Sequence, residues 1–141
     1  MKRLPNWHRR LETHLASAHG RNFQWGAFDC ALHACDAVNA QTGIDPGEAF
    51  RGSYASEAEA AAAMGPDLGK FAAAVAAKYG MPEIAPLHAR RGDVVHVDNK
   101  TAAGALGVVD LSGTFAVCAA SRGLIRVRMS RWKRAWAVPM I

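Results

Sequence analysis

Leu4, Trp7, Leu11 and Leu15 recur at three- and four-residue spacing, with Pro5 near the start of the run and Gly20 beyond its end. That pattern predicts an amphipathic helix. Phe23-Gln24-Trp25-Gly26 interrupts it, and a second helix is predicted from Asp29 to Gln41, closed by Gly43. Its inward side should carry Cys30, Ala34 and Val38, joined by Ala31 and Ala37. Asp45-Pro46-Gly47 is turn chemistry. Ser56 followed by Glu59 is a capping-box signature opening a short alanine-rich helix to Met64. Asp67 can cap one more helix, with Leu68, Phe71, Val75 and Tyr79 as its face and Gly80 as its stop.

After Pro82 and Pro86 the period shortens to two, the spacing of strands. Strands are predicted over Asp93–Asp98, Ala105–Val109, Thr114–Ala119 and Leu124–Met129, with a last one near Ala135–Val138. In the fourth, Ile125, Val127 and Met129 alternate with Arg126 and Arg128. Asp110 to Gly113 and Ser121 to Gly123 are short hairpin connections. Helices first and a meander afterwards predict an α+β domain, not a parallel α/β sheet. Residues 1–141 read as one domain, with a helical half over 1–80, a stranded half over 90–141 and no linker between them.

Half of the residues are apolar, but many are alanine, so the core rests on few large side chains. Seventeen Lys and Arg against twelve Asp and Glu leave a formal charge of +5, with 21% of the chain charged. This is the balance of a globular protein and not of a disordered one. No apolar run reaches the ~18 residues that span a bilayer, and the basic N-terminus lacks the apolar stretch of a secretory signal. Membrane insertion and export by that route are therefore not expected. Three cysteines argue against a disulfide framework and for buried, reactive or metal-binding thiols.

The segment from Phe23 to Leu32 carries the most chemistry. It places Cys30 in the first turn of a predicted helix, where amide N–H groups and the helix dipole favour an anion. A thiol so placed becomes more acidic and more nucleophilic. Taken alone, Cys30 reads first as a small buried apolar residue, a common fate of cysteine.

Asp29-Cys30 at a helix start, followed some sixty residues later by Arg91-Gly92-Asp93-Val94-Val95, resembles the NlpC-type papain-like cysteine hydrolases. In that superfamily an Asp-Cys pair supplies the nucleophile, and a Gly-Asp-(Leu/Val)-Val strand leads into a His-Val-Gly-Ile strand that carries the base. The chain resembles more closely an uncharacterised family of phage and prophage tail-module proteins. The residues behind that resemblance are Trp25 to Leu32, Thr42 to Pro46, Phe50 to Tyr54, Arg90 to Val95, Ala105 to Val109 and Arg134 to Trp136. They run in order over nearly the full length. The resemblance implies a papain-like fold, with N-terminal helices packed on an antiparallel, partly barrel-like sheet.

One departure decides how much activity the resemblance carries over. The base position of the hydrolases falls on Ala105, and the third position, which orients the imidazole, falls near Cys118. A methyl group cannot accept a proton, and a triad without its base loses most of its power. His96, in the strand before Ala105 with Asp98 on the same face by alternation, reads first as a half-exposed strand histidine beside an aspartate, and otherwise as the substitute base of a relocated Cys30–His96 pair with Asp98 assisting. His33, three residues after Cys30, is on a neighbouring helix face, while His8, His14, His19 and His88 are expected in solvated positions without a role.

Zinc-competent chemistry exists at Cys30, His33, Cys35, His96 and Cys118, but no Cys-x-x-Cys pair does. Cys35 is roughly 140° around the helix from Cys30 at about 100° per residue, so no metal or other cofactor is expected. The basic run from Arg122 to Arg134, with the aromatics Trp132 and Trp136, has the composition of a single-strand nucleic-acid surface. Alternation at Arg126 and Arg128 favours an ordinary solvated strand face, so nucleic acid is not an expected partner. Trp7, Trp25 and Trp136 are expected as core or interface anchors.

The resemblance together with Ala105 implies a structural component of a phage-type tail tip whose catalytic site is degenerate. Its partners would be other tail proteins and its location the virion tail, after synthesis in the bacterial cytoplasm. The alternative is a cysteine peptidase or amidase that cuts peptidoglycan peptides during genome entry, with Cys30 as nucleophile and His96 as base.

Overall fold

The computed structural model describes residues 1–121 and 123–140. Four helices precede the sheet: α1 (Trp7–Ala18), α2 (Cys30–Thr42), α3 (Glu57–Met64) and α4 (Leu68–Lys78). Six strands follow: β1 (Glu83–Ile84), β2 (Val94–Val97), β3 (Ala105–Val109), β4 (Phe115–Ala120), β5 (Gly123–Arg128) and β6 (Trp132–Trp136). Every pairing is antiparallel, and the strand order is β1-β6-β2-β3-β4-β5. The α+β class is as the helix-then-meander pattern implies.

The helix ends follow their local signals. Asp29, Ser56 and Asp67 each accept a backbone N–H at an N-terminus, and Gly43 closes α2 in the left-handed conformation at φ 78°. Glu59 completes its box one residue earlier than the usual pattern, accepting from the Ala55 N–H at 3.0 Å. The helix α1 begins at Trp7 and not at Leu4, because Leu4 is held outside it by its N–H to the Gln41 carbonyl at 2.7 Å.

Two elements differ from expectation in which residues they bury. On α4 the fully buried ridge is Leu68, Ala72 and Ala76, while Phe71, Val75 and Tyr79 are half-buried. Small side chains let this helix lie close to the sheet, and the larger ones wrap its flank. On β5 only Val127 is buried, whereas Ile125 is 45% exposed. Met129 has left the strand for a 3-10 turn, Met129–Arg131. The last strand starts earlier than its composition suggests, so Lys133 and Arg134 lie within it.

The sheet is open but strongly curled. On a flat sheet β5 and β6 are four strand spacings apart, roughly 19 Å at about 4.8 Å each. The connection is a three-residue 3-10 turn, which advances only about 2 Å per residue. The strands must therefore roll toward one another. Trp132 Nε1 accordingly reaches the Val127 carbonyl at 3.0 Å. Rolling buries Val95, Val97, Ala105, Val109, Ala116 and Cys118 on the concave side. The other face of the sheet, with Val94, Leu106 and Trp136, receives α2 and α4. Val108 packs under Trp7 and Leu11 of α1.

The chain termini are tied in by one buried ion pair. Arg3 and Asp93 are 4% and 3% exposed, with Nη2 and Oδ1 2.8 Å apart. Asp93 also accepts from the N–H groups of Arg90 at 2.9 Å and Val138 at 3.0 Å. Arg3 stacks over the Trp7 ring, 4.1 Å from its centroid.

Candidate functional site

The loop before α2 is a tight reversal in which Gln24 and Phe28 exchange N–H to carbonyl bonds of 2.9 and 2.8 Å. Gly26 makes the reversal possible. Its φ is +80°, and a Cβ there would lie 2.0 Å from the Tyr54 carbonyl oxygen. Asp29 then locks the helix start. Its carboxylate accepts from the Gly26 N–H at 3.0 Å, the Leu32 N–H at 2.9 Å and the Tyr54 hydroxyl at 2.7 Å. Two quoted sequence motifs thus meet around one carboxylate, which sets the position of Cys30.

Cys30 is partly exposed and packs against both large apolar clusters, the one holding Leu106 and the one holding Ala105 and Cys118. Burial pushes its thiol up to about 11, and the charge of Asp29 adds to the rise. The backbone amides of Leu106, Ala31 and Cys30 itself pull the other way and are outweighed. Cys118 is pushed up to about 12, first by burial and then by the neighbouring Cys30. Both sulfurs are therefore thiols at neutral pH. Ala105 is buried at 8% exposure in the cluster that Cys30 touches, so the side chain there is a methyl group.

His96 and Cys30 form no hydrogen bond. Alternation along β2 sends His96 away from Val95 and Val97 and toward the N-terminus of α4. Its Nε2 lies 3.0 Å from the Ala103 carbonyl oxygen, and its Nδ1 is buried without a partner. Gly104 and Gly69 wall it in: a Cβ would come within 2.3 Å of Nε2 at the first and 2.7 Å of Nδ1 at the second. Asp98 is exposed and accepts from the Lys100 N–H at 2.9 Å, so it does not assist the ring.

The histidines that do meet are His14 and His33. His33 is fully buried, with Nε2 3.2 Å from the Val117 carbonyl oxygen and Nδ1 3.2 Å from His14 Nε2. The carbonyl requires a proton on His33 Nε2, so Nδ1 accepts and His14 donates. His14 was expected on a solvated face, but α1 lies on α2 and half-buries it. Burial is the main cause holding both rings below the ordinary value, His33 at about 3. An unfolded chain takes up protons below pH 6.5 that this pair refuses, so stability falls as pH drops from 6.5 toward 3. At pH 4.5 the loss is expected to reach about 2–3 kcal/mol. Urea unfolding of the wild type and His33→Gln across that window checks it, the variant having the flatter profile.

Among the described residues, no group of three His, Cys, Asp or Glu side chains is placed to hold a metal ion. Cys35 is buried beside Asp45 and Arg51 and is pushed far up, first by burial. Arg51 joins Asp45 to Asp36 of α2 at 3.0 and 2.7 Å, giving the Thr42–Pro46 and Phe50–Tyr54 segments a structural role. The basic run does not form one surface. Arg122 lies outside the described residues, Arg126 covers the Phe115 ring, Arg131 binds the Asp98 carbonyl, and Arg134 holds Glu83 at 2.7 and 2.9 Å. Trp7, Trp132 and Trp136 are buried.

A family model described as "Domain of unknown function (DUF6950)" matches residues 2–138. The chain belongs to that family. No curated protein matches it. The DUF6950 match takes in Arg3, the Asp29–Cys30 pair, Asp93 and Val138, so the whole hydrogen-bonded frame described above lies within it.

Proposed function

We propose that this DUF6950 chain is a structural component of a phage-type tail tip, resident in the virion tail, built on a papain-like scaffold whose bond-cleaving site is degenerate. One observation carries the loss of catalysis: the Cys30 sulfur has amide neighbours, a thiol neighbour and the Ala105 methyl cluster, but no imidazole bonded to it. A cysteine nucleophile needs its thiolate, and a thiol held near 11 supplies almost none at neutral pH. The placement of Cys30 at the start of α2, against a curled antiparallel sheet, supports the papain-like reading. The tail assignment rests on the order of the quoted motifs, and its partners are other tail proteins.

The test has two arms. Cys30 should react with iodoacetamide at pH 7 no faster than a free model thiol, and Cys30→Ala should still enter tail particles at the wild-type copy number. A fast reaction titrating near neutrality would overturn the degenerate-site reading. Failure to enter particles in either form would overturn the tail assignment.

A second reading draws on the amides of Leu106, Ala31 and Cys30 around the sulfur, the kind of donor array that steadies a developing oxyanion. Here Cys30 attacks a peptidoglycan peptide amide, with the base brought by a partner or by a displaced His96. Release of muropeptides by the wild type but not by Cys30→Ala would establish it.

A further inference from the structure

A groove of about 640 Å³ opens at the end of β2 opposite to the Cys30 sulfur. Arg3, Arg90, Arg91, Trp7, Ile84 and Val138 are among the residues lining it. Among the described residues its charge is unbalanced: three guanidinium groups line it against one carboxylate, Asp93. That carboxylate is already engaged by Arg3 and by two backbone N–H groups. Among the described residues, the side chains of Arg90 and Arg91 have no ion pair or hydrogen bond, and both are exposed. Arg3 is 96% buried by its 4% exposure, yet its Nε has no partner. Arg91 lies close enough to oppose the charge on Arg3. A buried, incompletely satisfied guanidinium beside two free ones is an expensive arrangement unless an anion completes it.

From this we infer that the groove binds a carboxylate-bearing segment of a partner protein, with Arg90 and Arg91 gripping acidic side chains beside Arg3. A volume in the range of whole ligand sites is far more than a lone inorganic anion fills. Trp7, Ile84 and Val138 supply apolar contact between the charges. Met140, which also lines the groove, is 59% exposed and adds an apolar edge to the cationic surface. Strand β1 lies at the sheet edge, where Ile84 pairs with Ala135 of β6 and also lines the groove. Glu83 beside it does not repel an acidic partner, because Arg134 neutralises it. The assignment does not depend on whether Cys30 is catalytic.

Hexaglutamate is the probe, titrated calorimetrically at low ionic strength into the full chain. The Arg90→Ala/Arg91→Ala variant should weaken binding at least tenfold. Its fold should be intact, because Asp93 uses only the backbone N–H of Arg90. The Arg126→Ala/Arg128→Ala variant removes the same charge from β5 and should change binding less than twofold. Equal losses in the two variants would mean diffuse attraction to a basic protein and would overturn the site. So would an absence of binding by the wild type. Competition by inorganic phosphate as effective, per charge, as hexaglutamate would overturn the peptide assignment in favour of a simple anion hole.

Discussion

Asp93→Ala is expected to destabilise the protein by about 4–5 kcal/mol, the largest effect of any single polar truncation in the fold. The substitution leaves the Arg3 guanidinium buried without its counter-ion and strands the N–H groups of Arg90 and Val138. These donors come from the N-terminal segment, the entry to β2 and the C-terminal segment, so three pieces of chain lose one shared acceptor. Their attachment has few substitutes: Arg3 N–H to the Pro139 carbonyl at 2.9 Å and Leu4 N–H to the Gln41 carbonyl at 2.7 Å. For a domain of this size the melting temperature should fall by roughly 15 °C or more. Arg3→Met should cost less, because Asp93 keeps two backbone donors and the methionine stem still covers Trp7. Calorimetric melts of the two variants give the comparison, and an Asp93→Ala loss below that of Arg3→Met would refute the account.

Asp29→Ala is expected to cost about 3 kcal/mol, again from three donors losing one acceptor. The N-cap bond to Leu32 alone is worth about 1 kcal/mol. The remainder comes from the buried Tyr54 hydroxyl, 2.7 Å from Oδ2, and from the Gly26 N–H. Burial and the bond to Asp29 hold the Tyr54 hydroxyl protonated far above its ordinary range, so it remains a donor at all working pH values. Tyr54→Phe removes the donor together with its demand and should cost only about 1 kcal/mol. In the double variant the two losses should not add. A denaturation cycle giving a coupling below about 0.5 kcal/mol would show that the carboxylate and the hydroxyl act independently.

The elements whose causes are local were legible in the chain. Asp29, Ser56 and Asp67 cap helices because a short polar side chain can reach an N–H two or three residues away, whatever the rest of the fold does. Ala105–Val109 stood out as a strand because apolar runs between turn residues leave little choice. The two-residue β1 was missed, since so short a segment has no period of its own and exists only because β6 pairs with it. His14 and His33 belong to the same class. They sit 19 positions apart, and only the packing of α1 on α2 turns an ordinary solvated histidine into the partner of a buried one.

The candidate site divides the same way. That position 105 carries no proton acceptor could be read from the residue itself, because alanine has none in any fold. The surroundings of His96 could not, since its ring is enclosed by two glycines, Gly69 and Gly104, from separate segments. The basic run shows the same limit: Arg126 and Arg134 belong to one short stretch of sequence but lie on strands separated by three others in the sheet.

By itself, then, the amino-acid order determined the class of fold, the helix starts and the placement of Cys30 in a first turn, all of which depend on contacts within a few residues. The tertiary structure alone decided the pairing of Arg3 with Asp93 across 90 positions, the burial of His33 against Val117 and the gathering of Arg3, Arg90 and Arg91 around one groove. Those contacts are set by the curl of the sheet and the docking of helices onto it, and no local periodicity encodes which distant side chains that packing will bring together.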